Sequence, residues 1–189
     1  MTPRITESPD AGGLREFLLR ESDVHAAGWP DAVAGDLEED VAAFENPDPR
    51  GPCGGVVPQA PLEGSVARSF STPDTVVIEP VVATDDQVES YLARLQADVT
   101  PSCGPYESRT NTGATQTYSD IEMVDLEVAG AGSIGWTGTV TVDGLYTSAG
   151  VFMVVGQDRT AFTQIESVSG LAPVQVRDLA RHAAGRLGA

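Results

Sequence analysis

The chain has 189 residues, 28 of them acidic and 11 basic, for a net charge of −17. That balance argues against nucleic acid and anionic membrane as partners, because both are gripped by basic footprints. All 11 bases are arginine, which removes P-loop and Schiff-base chemistry, since each needs a lysine.

Residues 1–12 are polar, carry Pro, Gly and Ser, and read as a disordered tail or tether remnant. Residues 13–189 read as one domain, long enough to bury a core. The start has no apolar signal region, and no run approaches the roughly 18 apolar residues of a membrane span. Membrane contact is therefore expected only through a tether outside this sequence, as in a trimmed or mature form. Leu14, Phe17, Leu18 and Leu19 form the first apolar run. A short helix follows, with Ser22 as its cap and Gly28 as its stop. Asp36-Leu37-Glu38-Glu39 has the shape of a capping box, and Leu37, Val41 and Phe44 follow at helical spacing, so a second helix is expected there.

Residues 46–62 hold five prolines and three glycines around Cys53 and read as irregular loop. The start of a calcium loop at residues 46–51 fails, because Arg50 takes a ligand position and Val57 replaces the bidentate acid. Strands are expected at 66–71 and 76–83, joined by the Ser71-Thr72-Pro73-Asp74 turn, and Pro80 suggests an edge strand or a bulge. Thr84 then caps a helix whose apolar stripe is Val88, Tyr91, Leu92, Leu95 and Val99. Pro101 stops it just before Cys103, and strands at 106–110 and 117–128 follow.

Residues 133–168 predict a three-stranded meander. Asp143-Gly144 between two alternating runs signals a two-residue type I′ hairpin. The register then pairs Val142 with Leu145, Val140 with Thr147, Trp136 with Val151 and Ile134 with Met153, which puts the core on that face. The opposite face carries Thr137, Thr139, Thr141, Tyr146 and Ser148, and is either solvated or the lining of a wet cleft. For the third strand, a strict turn places Gln164 and Glu166 on the core face. A bulge near Gly156 places Ala161, Thr163 and Ile165 there instead, and is the preferred reading. A last helix starts near Pro173 with Val176, Leu179, Ala180, Ala183 and Leu187 inward and His182 outside the stripe. The fold class is α+β: a twisted antiparallel sheet of about six to seven strands with helices packed on it.

Few motifs carry chemistry. Gly130-Ala131-Gly132-Ser133-Ile134-Gly135 spells a dinucleotide-binding pattern, but a strand follows it where the motif needs a helix N-terminus. Ser133 as a nucleophile with His25 or His182 is an alternative. Glu122, Asp125 and Glu127 carry no specific signal in so acidic a chain, and Trp29 and Trp136 read as core. Two histidines and two cysteines fit no zinc spacing, so no metal or cofactor is expected. Cys53 and Cys103 lie in Pro/Gly loops suited to a disulfide, which implies an oxidising compartment; two unrelated thiols are the alternative. A bridge closing about 50 residues adds roughly 4 kcal/mol in the chain-entropy description.

The order of parts is that of a known family. An early Phe17-Leu18-Leu19 run and short helix lead to a Pro-Cys loop and a strand pair. An amphipathic helix then runs into Cys103, and consecutive long strands lead to a final Arg/Ala helix. This resembles the PknH-like extracellular sensor domains of actinobacteria, found on Ser/Thr kinases and related lipoproteins, over about residues 14–187. Only Cys53 and Cys103 match that family position by position, and no cysteine follows Cys103 to form a second bridge. The resemblance implies a sheet with a large cleft and an unidentified extracellular ligand, and it supplies no catalytic residues. The expected function is a non-enzymatic, extracytoplasmic domain, secreted or lipid-anchored at the cell envelope. It would be monomeric and bind an unidentified small molecule, cationic or neutral by the chain's charge, on the face of Thr137, Thr139, Thr141, Tyr146 and Ser148. A cell-envelope protein-interaction domain, docking through an edge near Pro80 or the acidic surface, and a Ser133 hydrolase are the alternatives.

Overall fold

The computed structural model describes residues 11–39, 64–84, 86–98, 105–109, 115–128 and 132–188. Within them, eight strands form one sheet: β1 (Val33–Glu39), β2 (Val66–Ser71), β3 (Thr75–Ala83), β4 (Tyr106–Arg109), β5 (Thr115–Met123), β6 (Ser133–Val142), β7 (Leu145–Val155) and β8 (Arg159–Ser167). Their spatial order is β1-β2-β3-β8-β7-β6-β5-β4, and every neighbouring pair is antiparallel. The helices are α1 (Ala11–Leu14), α2 (Glu21–Ala26), α3 (Asp86–Asp98) and α4 (Pro173–Leu187). This is the expected α+β class. Of the tail read as residues 1–12, only Ala11 and Gly12 are described, as the start of α1. Cys53 and Cys103 lie outside the described residues, and so do Val41, Phe44 and the proline-rich loop at residues 46–62.

The β6–β7 hairpin forms in the expected register, from Val142↔Leu145 to Ile134↔Met153. Asp143 and Gly144 take φ of 49° and 80°, as a type I′ turn requires. Two stripes follow from the period of two, and both are buried. On one face, Ile134, Trp136, Val140, Ala149, Met153, Val155 and Phe162 pack beneath Val88 and Leu92 of α3. On the other, Phe152, Val154, Ala161 and Ile165 join Phe70, Val77 and Val81 beneath Leu18, Leu19, α2 and the inward stripe of α4. The expectation of a single core face is therefore corrected, and the larger cluster lies on the opposite one. The preferred bulge near Gly156 is corrected with it. β8 pairs Val155↔Thr160 and Val151↔Gln164 without a shift, so Gln164 shares the Trp136 face and Ala161, Thr163 and Ile165 go to the α4 face. No bulge is needed once both faces are apolar.

Three local readings are also corrected. Residues 33–39 form the edge strand β1, where a helix was expected at Asp36. Its ladder to β2 shifts between Ala34 and Leu37, and pairing with β2 outweighs a capping pattern whose Asp36 and Glu38 are exposed. Pro80 sits in an interior strand, between β2 and β8. The register is the same on both sides of it, from Ile78↔Gln164 to Val81↔Ala161, so the ring interrupts the ladder without displacing it. Ser22 lies inside α2; the cap is Arg20, whose N–H donates to Asp23 Oδ2 at 2.8 Å. Of the stripe expected on α3, Val88 and Leu92 are buried, and Tyr91, Leu95 and Val99 lie outside the described side chains. α4 has Pro173 in its first turn, the expected residues buried, and Gly188 at φ 73° as its left-handed stop.

Candidate functional site

α4 fixes what the hydroxyl face can do. A Cβ on Gly150 would meet Leu171 and Val176 at 2.5 and 2.8 Å, and one on Gly156 would meet Leu187. The helix thus follows β7 from Gly150 to Gly156, and the absent side chains let it sit on the sheet. Strand residues toward the Asp143-Gly144 turn lie beyond its first turn. Thr137, opposite Gly150, is buried; Thr139, Thr141 and Ser148 are half-buried; Tyr146 is 74% exposed. The five expected residues therefore share one face, running from the edge of the helix to the open hairpin tip.

The ladders extend this set. Thr75 faces Ser167, Ser167 faces Ser148, Ser148 faces Thr139, and Thr139 faces Ser119. Five hydroxyls thus lie in one row across β3, β8, β7, β6 and β5, at the strand separation of about 4.8 Å. A second row, Thr117–Thr141–Tyr146, runs beside it. At its β3 end the first row is buried and self-bonded, with Thr75 Oγ1 2.9 Å from Ser167 Oγ. Toward β5 it is half open. The extension across five strands was not legible from residues 133–148 alone, because it depends on which strands lie beside β6 and β7.

A separate groove of about 290 Å³ lies at the far end of β6. Gln96, residues 123–128, Ser133, Ile134 and Gly135 line it. Leu126 fits over Gly135, where a Cβ would come within 2.6 Å of it. Glu127 has its carboxylate turned to Arg177 and Arg181 of α4. Ser133 is here, but no histidine lines the groove. His25 Nε2 is 2.8 Å from the Ala32 carbonyl, and His182 Nδ1 is 3.7 Å from Asp23. Each histidine is engaged away from Ser133.

A third polar group was missed by sequence reasoning. Glu79, in β3, is fully buried on the α4 face. The Leu19 N–H donates to its Oε2 at 2.6 Å, and Oε1 has no hydrogen-bond partner. Desolvation pushes its pKa up to about 8, opposed by the Leu19 N–H and reinforced by the charge of Asp23. Asp23 is buried and accepts from Arg186 Nε at 2.9 Å and Nη2 at 3.0 Å. Its sequence signal was available: an acid at an inward position of an otherwise apolar strand, Val77-Ile78-Glu79-Pro80-Val81.

No protein-family model matches the chain, and no curated protein matches it either. Among solved structures, the extracellular domain of PknH from Mycobacterium tuberculosis superposes with a TM-score of 0.66 at 14% sequence identity, over 96% of this chain and 98% of that one. A superposition over nearly all of both chains shows that this chain has the fold of that PknH extracellular domain.

Proposed function

We propose that the chain is a non-enzymatic, extracytoplasmic sensor-like domain, secreted or lipid-anchored, that binds an uncharged small molecule on the hydroxyl face of β6 and β7. The observation that carries this reading is the band of hydroxyls left beyond the first turn of α4, with Thr139, Thr141 and Ser148 half-buried beside an exposed Tyr146. Neutral groups that both donate and accept suit a ligand rich in hydroxyls, and the tyrosine ring offers it an apolar surface. A net charge of −17 sets the same limit from outside, since it repels polyanions. The location is supported by the fold, which this chain shares with a domain that is itself extracellular.

A titration of isotope-labelled protein with neutral oligosaccharides and polyols tests this. Chemical-shift changes centred on Thr139, Thr141, Tyr146 and Ser148 are expected. Changes confined to the groove around Ser133 and Leu126, or none at all, would refute the assignment.

The second reading, a docking domain for an envelope protein, has its own observation. Val33, Val76, Leu145 and Val168 are exposed apolar side chains toward the same end of the sheet. A hydrolase using Ser133 gains nothing from the geometry, because neither histidine lines its groove.

A further inference from the structure

The ladders put Glu79 in a polar row beneath the N-terminal segment. Arg68 of β2 is its direct partner on one side. The register on either side of Pro80 sets Thr163 of β8 opposite it on the other. Glu79 Oε1, Arg68 Nε and Thr163 Oγ1 are all buried without a hydrogen-bond partner. One bond crosses from this row to the segment above it, from the Leu19 N–H.

The charged groups around Glu79 come from three further elements. α2 supplies Asp23. α4 supplies Arg186, whose guanidinium is committed to Asp23, and His182, which also faces Asp23. β2 supplies Arg68, which acts on Glu79 through its charge. Asp23 and Arg186 already neutralise each other, and Arg68 opposes the charge of Glu79 without forming a salt bridge or hydrogen bond to it, so ionised Glu79 leaves a fully buried carboxylate without an ion-pair partner beside that of Asp23. Neutral Glu79 leaves Leu18, Leu19 and α2 docked on Phe70, Val77 and α4.

We propose that Glu79 is a proton-operated latch: neutral, it keeps the segment from Leu18 through α2 docked between β3 and α4, and on losing its proton to solvent it lets that segment open while the rest of the sheet stays folded. This adds a regulated joint to the molecule and does not depend on where the ligand binds.

Amide hydrogen exchange on the whole protein, from about pH 6 to about pH 9 and corrected for the chemical exchange rate, tests it. Protection at Leu19 and through α2 should fall roughly tenfold per pH unit up to about pH 8, where Glu79 of the docked segment itself ionises, and level off above it, while β6 and β7 keep theirs. In Glu79→Gln that pH dependence should vanish. An unchanged dependence in the variant, or loss of protection in β6 and β7 together with α2, would overturn the latch. If Glu79→Gln does not fold, the carboxyl carbon resonance of Glu79 in the wild-type protein decides. Titration in step with the opening of Leu19 upholds the proposal, and a carboxylate already ionised under a docked segment overturns it.

Discussion

Glu79 makes a pH-dependent contribution to stability whose sign can be worked out. Its ordinary value is 4.5 and its folded value about 8. Below pH 4.5 both folded and unfolded chains hold the proton, and the contribution is fully present. Between 4.5 and 8 only the folded chain holds it, so stability falls as pH rises, and above 8 the loss is complete. One proton changes stability by about 1.4 kcal/mol per pH unit, so the total is on the order of a few kcal/mol. Urea unfolding across this range should show the decline in the wild-type protein and a flatter profile in Glu79→Gln; equal slopes would contradict the assignment. Asp23 makes a different prediction. Asp23→Ala strips Arg186 of its bidentate partner in a mostly buried site and should cost about 3 kcal/mol, read from the shift of the urea midpoint. A near-neutral result would mean that Arg186 finds other partners.

Among the elements, turns and helices were more legible than edges and faces. Asp143-Gly144 fixed a ten-pair register, because a two-residue turn needing positive φ leaves little freedom. Gly144→Ala should therefore cost about 1 kcal/mol in the same measurement, with the hairpin register intact. The stripe of α4 was equally readable, since Val176, Leu179, Ala180, Ala183 and Leu187 all turn inward. β1 was not, because its acids suit a helix start as well as an exposed strand, and only the neighbouring β2 decides between them. Face assignment failed for a related reason. Gly135 and Gly150 fall on the face read from the sequence as solvated or cleft-lining, yet they are the places where Leu126 and α4 approach the sheet. Adding side chains there should lift those elements: Gly150→Val should cost about 1–3 kcal/mol and loosen the start of α4. Of the candidate site, the face of Thr139 and Ser148 was legible from alternation alone. Its continuation through Thr75, Ser167 and Ser119 required the strand order, and Glu79 required knowing that both faces of β3 are covered.

For the whole molecule, two terms set the limits on function. The fold supplies a wide sheet sandwiched by α3 on one face and by α2 and α4 on the other, with the hydroxyl-bearing tip of β6 and β7 left beyond α4. The charge of −17 works against compactness and against anionic partners alike. Added salt should screen that self-repulsion and raise the unfolding temperature, whereas binding of an uncharged ligand should be nearly salt-independent. A site that weakened steeply with salt would point to a cationic partner instead. The central claim is that the ligand is held by hydroxyls. The most direct measurement is calorimetric binding of a neutral oligosaccharide identified by titration, compared among wild-type protein, Thr139→Val with Ser148→Ala, and Leu126→Ala in the groove. Binding at least about tenfold weaker, near 1.4 kcal/mol, is expected for the hydroxyl double variant, and wild-type affinity for the groove variant. The reverse pattern would place the site in the groove at the other end of β6 and overturn the assignment to the hydroxyl face.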